Sequence, residues 1–570
     1  MSNDAAIAKQ SFFNRAGQWI TATRNFVVNA FFVLATLFVL AALVGSCDSQ
    51  DVPKDSALFI NPTGQLVEQP SPPLSFPDVL FQSGPVQETA INDVLDAINL
   101  AATDDDIKII VLDLDELSYA SSAQVLRLGA ALEAFKESGK EVIAYEEYFQ
   151  QFQYHIASYA TELYMHPMGQ ALLSGYGGNN LYFREMLEKL SVNVHVFRVG
   201  GFKSAVEPFT RDDMSEEAKL ANQTLYNGLW RYLVEDIADN RQLPVADIEA
   251  YSQQFSLLLE KAGGDMARTT LEAKLVDELL TRDQIRARIA DKVGWLEENE
   301  RLNAIGMDNY LRLRQALPAI PGDNQIAVLV AQGTIMEGEG AGVAAADTLV
   351  RKIRNARNND QIKGLVLRVD SPGGSAFASE LIRQELELLQ IAGKPVVASF
   401  GSVAASGGYW ISATADAIVS EPTTITGSIG IFGVVPSFEN ALDRLGIHSD
   451  GTGTTPLTSI DPLAGLNDEF KSILQSNIEF GYRQFTDLVA RGRNMEPEAV
   501  EAIAQGRVWQ GDKAFELGLV DALGDTQVAI EKAAELAELS DWSVRYLEDP
   551  LNPRDEFIRQ LMESVELDLV

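Results

Sequence analysis

The chain has 570 residues, 45 Lys and Arg against 81 Asp and Glu, and a formal net charge of −36. That length exceeds one ordinary core, and 46% hydrophobic with 22% charged residues is a globular composition rather than a disordered one. The acidic balance excludes a nucleic-acid partner, which needs a basic face. A single cysteine, Cys47, excludes an internal disulfide framework and any CxxC site, and four histidines (His155, His166, His195, His448) leave little for a metal centre or a Ser-His-Asp triad.

Residues 1–25 carry Lys9, Arg15 and Arg24 against one acid, Asp4, and read as a cytoplasmic N-terminus. Residues 26–46 hold the run Phe26–Gly45, which has no charge and is long enough to cross a bilayer as a helix; the basic flank exports the rest of the chain. A cleaved signal peptide and a lipoprotein signal ending at Cys47 are the competing readings of the same run. All three put the bulk of the protein outside the cytoplasm. Residues 47–54 form a linker.

The exported part repeats itself. Asp106–Asp115 (DIKIIVLDLD) matches Gln361–Asp370 (QIKGLVLRVD) at a spacing of 255, as does Ile91–Ala101 with Ala346–Ala356. Gly139-Lys140 follows with Gly393-Lys394 at 254, then Pro167 and Gly175 with Pro422 and Gly430 at 255. Each copy alternates short β-rich apolar runs with amphipathic stretches, the signature of a largely parallel sheet covered by helices. In the second copy, strands are expected at 326–330, 364–369, 395–400 and 417–420, and helices at 344–357 and 376–390. Helical arms at 216–240 and 468–492 close the two copies. The expected fold class is therefore α/β, with an N-terminal lobe over 55–322, a C-terminal lobe over 323–545 and a tail over 546–570.

Positions at which the copies depart from each other are candidates for chemistry. The second copy places Ser371-Pro372-Gly373-Gly374-Ser375 at a strand-to-helix turn where the first has Glu116-Leu117-Ser118-Tyr119-Ala120. Paired glycines expose unblocked N–H groups, which suits an oxyanion site and equally suits a tight turn. Ala404-Ala405-Ser406-Gly407-Gly408 then opens a helix where the first copy has Gln151 or Phe152. Ser406 is an ordinary N-cap or a nucleophile in a positive potential. Neither His448 nor His155 is convincingly placed as its base. A lysine serves if burial lowers its pKa, and Lys203 stands in the mostly apolar Val199–Phe209, whose counterpart Gly453–Leu463 has no lysine.

Together these segments resemble the long, two-lobed form of the signal peptide peptidase A (protease IV) family. The likeness spans nearly the whole chain. It rests on SPGGS, AASGGYW, Thr426–Gly433 (TGSIGIFG) and Phe202–Ser215 (FKSAVEPFTRDDMS). It implies a tandem Clp-protease/crotonase-like fold, a homotetramer, and a Ser/Lys dyad split between lobes. Carried over, Ser406 is the nucleophile, Lys203 the general base and Ser428 the residue that orients the lysine, with Gly374 and Gly407 as oxyanion amides. It also implies peptide substrates, chiefly released signal peptides, and a place in the bacterial inner membrane with the catalytic part periplasmic. No cofactor, metal or nucleotide is called for; the glycine run Gly338–Gly342 reads as a loop. A crotonase-like acyl-CoA enzyme and a non-catalytic membrane scaffold are the alternatives from other classes.

Overall fold

In the computed structural model, two sheets of the same design follow one another along the chain. The structure describes residues 51–71, 87–296, 301–314, 322–340, 342–459 and 461–548, together with residues 24, 29 and 33. Residues 53–549 form one compact unit; the remaining residues form a second, of which only the five at 24, 29, 33, 51 and 52 are described. The apolar run expected at 26–46, Cys47 and the tail beyond 548 therefore lie almost wholly outside the described residues. No helix among those described is long and apolar enough to cross a membrane.

The first sheet has six strands in the order Ala304–Gly306, Ser56–Ile60, Ile107–Leu112, Glu141–Phe149, Glu162–Ala171 and Glu278–Leu279, all parallel. The second runs Val508–Gln510, Ile425–Gly427, Val396–Ala405, Ile362–Ser371, Gln325–Gln332 and Ser543–Tyr546, with Ala417–Ser420 and Ala522–Leu523 branching from its middle. Its one antiparallel pair is Ile425–Gly427 with Val508–Gln510. Parallel strands are covered on both faces, and here the alternation is visible: Ala327 and Leu329 face one core, Ile326 and Val328 the other. The strands expected in the second copy are all present. Val396–Ala405 runs five residues past its expected end, up to Ser406 itself.

The duplication holds in detail. Helices Ile91–Thr103 and Ala346–Asn358 correspond, as do Ser122–Glu137 and Ala376–Ile391. The arms Glu216–Arg241 and Asp468–Arg493 are both 26 residues long, and each ends in a left-handed cap. One correction concerns the counterpart of Ser406. The structure puts Gln150, not Gln151 or Phe152, at the corresponding helix cap, because the second copy lengthens its strand before the turn.

Two features join the lobes. Asn193–Arg198 of the first pairs antiparallel with Phe432–Ser437 of the second, residue for residue. The second feature is a buried group of ions. Glu68 Oε1 meets Arg127 at 3.1 Å and Arg368 at 2.6 Å, and Arg368 Nη2 also reaches Glu421 at 3.0 Å. Arg368 is 1% exposed, whereas its counterpart in the first copy, Asp113, is exposed. Removing one partner of such a buried set is costly because the others are left desolvated and unpaired.

Two carboxylates sharing these guanidiniums do not ionise equally. Glu68 has the closer contacts and is held below its ordinary value despite burial. Burial pushes Glu421 up from 4.5 to about 7, and the nearby Glu68 charge adds to the rise. A raised carboxyl pKa means that the folded chain holds a proton which the unfolded chain has released. Its stabilising share is present in full below pH 4.5 and is lost as pH rises through about 7. Denaturant midpoints should therefore fall between pH 5 and pH 8, and Glu421→Gln should flatten that decline measurably.

Candidate active site

Strand Val396–Ala405 is apolar and almost wholly buried, so it delivers Ser406 to a fixed place at its end. The helix Gly407–Ser412 follows at once and is itself buried. Tyr409 OH donates to Leu519 O at 2.8 Å, and Trp410 Nε1 donates to Glu380 Oε2 at 2.8 Å. Ser406 makes the turn with φ +54° and ψ −115°, a conformation that costs a non-glycine residue energy and survives only where its surroundings impose it. Its N–H is consumed by Gly427 O at 2.9 Å. The side chain is therefore left as the reactive end of the residue.

Lys203 comes from the other lobe, five residues after strand Asn193–Arg198. It is 5% exposed. Its Nζ lies 3.2 Å from Ser406 Oγ, 2.9 Å from Ser428 Oγ and 2.9 Å from Ser428 O. Burial is the only resolved cause acting on the amine, and it lowers the pKa from 10.5 to about 8. A neutral amine has two N–H donors and one lone pair. With its two N–H groups on Ser428 the neutral form would turn its lone pair to the Ser406 hydroxyl, whereas the ammonium would donate to all three oxygens. Ser428 is held at φ +51°, the second strained serine of the site.

The glycine turns meet beside Ser406. Gly373 has φ +98°, and a Cβ there would fall 2.5 Å from Gly407 N and 2.9 Å from Ser406 Cβ. A Cβ on Gly407 would come within 3.1 Å of Gly374 N. Ile335 N donates to Gly373 O and Ser375 N donates to Ile335 O, both at 2.9 Å. This bridge turns Gly374 N–H to its opposite side. Gly407 N–H is one of the unpaired donors at the first turn of its helix. Two amides thus adjoin one hydroxyl, the disposition that stabilises a developing oxyanion.

All five residues expected at the site are brought together within one chain. The histidines are not. His155 is buried against Asp236 in the first lobe, and His448 pairs with Asp443 on the surface. Sequence reasoning did not single out Phe202, Gly506 or Arg507, which close around Lys203. A glycine shortly after the helix Pro497–Ile503 reads as an ordinary helix stop.

Comparison with known proteins agrees with this geometry. The sequence matches peptidase family S49 over residues 134–295 and 389–540, one segment in each lobe. It is 40% identical to Protease 4 of Salmonella typhi, over 97% of this chain and 90% of that one. It is 39% identical to Protease 4 of Haemophilus influenzae, over 92% and 88%. A putative signal peptide peptidase SppA of Enterococcus faecium is 32% identical over 34% of this chain and 56% of its own. A doubled α/β chain with a serine at such a site is a serine-type protease, a hydrolase of peptides. The chain belongs to peptidase family S49.

Gly407→Ala, whose Cβ would crowd Gly374 N at 3.1 Å, should displace that amide and slow fluorophosphonate labelling of Ser406 by about a hundredfold, the scale of one lost oxyanion donor.

Proposed function

We propose that this chain is a membrane-anchored endopeptidase that degrades released signal peptides and other unfolded chains, with Ser406 as nucleophile and Lys203 as general base. The carrying observation is where the buried amine sits: Lys203 Nζ lies 3.2 Å from Ser406 Oγ and 2.9 Å from both Ser428 Oγ and Ser428 O. In the cycle, neutral Lys203 takes the Ser406 proton as Oγ attacks the substrate carbonyl. Gly374 and Gly407 N–H groups receive the oxyanion. The ammonium then protonates the leaving amine, giving an acyl-serine and a neutral lysine. That lysine next takes a proton from water, whose oxygen attacks the ester, and returns it to Ser406. Ser428 orients the amine throughout. Strands ending in glycine-rich oxyanion turns fit the Clp-protease/crotonase-like fold implied by the family resemblance.

The anchor is the uncharged run Phe26–Gly45, with the basic flank keeping the N-terminus cytoplasmic and the active part on the periplasmic face of a bacterial inner membrane. Signal peptides as substrates are supported by the name of the Enterococcus relative and by that location.

A homo-oligomer follows from the repeat. The lobe-joining ribbon uses 193–198 of the first copy and 432–437 of the second. Helices Arg184–Lys189 and Glu439–Arg444 fix the spacing there at 255 (439 against 184). The equivalents of the ribbon strands are 448–453 and 177–182, and both lack a strand partner and are exposed, apart from half-buried Tyr182. Exposed Leu181 lies within 177–182, and exposed Leu445 and Ile447 precede 448–453. A second copy would repeat the same ribbon head to tail, and repetition that closes makes a ring; the resemblance implies four chains.

Ser406→Ala and Lys203→Ala should each lower peptide cleavage by about 10⁴-fold while the chain stays folded. For the wild type, kcat/KM should rise tenfold per pH unit up to about 8, because the base works only after losing its proton. Cellular activity kept in full by both variants would return the scaffold reading, and peptide cleavage kept by either would end the dyad. Ser449→Pro, which blocks strand pairing outside the core, should reduce the oligomer to single chains in sedimentation while Ser406 still reacts with the probe.

A further inference from the structure

The stem of Lys203 is gripped by a loop of the opposite lobe. Residues 504–507 lie between helix Pro497–Ile503 and strand Val508–Gln510. Gln505 and Gly506 are consecutive left-handed residues at φ +52° and +79°, which turns the loop's backbone groups toward the site. Gln505 O accepts from Phe202 N at 3.1 Å, Gly506 N donates to Ile429 O at 2.8 Å, and Arg507 O accepts from Ser428 N at 2.7 Å. One short loop thus holds the residue before the lysine and also the serine that receives its amine.

Gly506 forms a wall against the lysine. A Cβ there would lie 2.7 Å from Lys203 Cβ and 2.8 Å from both its Cδ and its backbone N, so any side chain must push the stem aside. Gly430 stands close by, and its Cβ would meet Lys203 Cδ at 3.4 Å. Arg507 locks the loop in place. Its guanidinium carbon lies 4.1 Å from the Trp509 ring centre and 5.0 Å from that of Phe202. The cation is therefore stacked with one ring from each lobe. Among the described residues its buried Nε has no hydrogen-bond partner, so ring contact outweighs ion pairing at this position.

We propose that Gly506 and Arg507 are positioning residues for the general base: they confine the Lys203 stem so that its amine stays dry and within reach of Ser406. The inference rests on Lys203 being that base. A lysine stem left free would carry its amine toward water, and hydration would restore the ammonium. The loop's contacts described above are with the lysine stem, Phe202 and the backbone of Ser428 and Ile429, so the effect should fall on kcat and on proton affinity rather than on KM.

The test uses the full chain in detergent, with kcat, KM and the pH profile measured on one peptide. Gly506→Ala should lower kcat by about a hundredfold, the cost of misplacing a catalytic group by an ångström. Arg507→Lys keeps the charge and the stem but loses the flat stacking surface, and it should lower kcat about tenfold. For both, KM should stay within about twofold, and the acidic limb should move up by about one pH unit or more. Should Gly506→Ala not fold, Arg507→Lys decides alone. A limb that stays in place, with kcat either unchanged or reduced, overturns the proposal. Lys203→Ala and Ser406→Ala run alongside: if they remain active, the dyad itself is wrong, and if they are dead while Arg507→Lys behaves as wild type, only the positioning role fails.

Discussion

Lys203 carries its amine into a place with no resolved carboxylate influence and little water, and the chemistry of the site depends on keeping it so. Burial alone brings the amine down to about 8, near enough to neutrality for a useful fraction to hold a free lone pair. In a chain of net charge −36 this is a considerable exclusion, since one acidic neighbour would stabilise the ammonium and disarm the base. The site meets the requirement with uncharged acceptors, the hydroxyl and carbonyl of Ser428.

Neither lobe builds this place unaided. The first supplies the lysine just past Asn193–Arg198, and the second supplies the serines, the glycine turns and the loop that walls in the stem. The antiparallel ribbon between the lobes sets their register, and the buried ions around Arg368 join Glu68 of the first lobe to the second. Differences between the copies therefore have two causes. Ser406 against Gln150, and Gly373-Gly374 against a turn without glycine, belong to the site proposed for the reaction. Arg368 against Asp113 belongs to the junction, where a buried cation is needed opposite Glu68 and Glu421.

Strain marks the same boundary. Ser406 and Ser428 both have positive φ although neither is glycine. Each is held by a backbone hydrogen bond, to Gly427 O and Arg507 O respectively, so the fold bears the cost of presenting two hydroxyls to one amine.

Ser428 came from family resemblance alone, whereas the sequence by itself determined the duplication, the α/β layering and the glycine turns beside Ser406. It could do so because repeat spacing, hydrophobic period and glycine at tight turns are local properties, written in the order of residues. Family resemblance was still needed to raise Lys203 above an ordinary surface lysine, since burial is a property of the whole fold. Only the tertiary structure decided that Lys203 and Ser406 meet within one chain, that Gln150 takes the place of Ser406 in the first lobe, and that residues 504–507 lie against the lysine stem. Those facts depend on which distant backbones touch. Three hundred residues separate Lys203 from Gly506, and no local pattern records that the absence of one Cβ makes room for the other's stem.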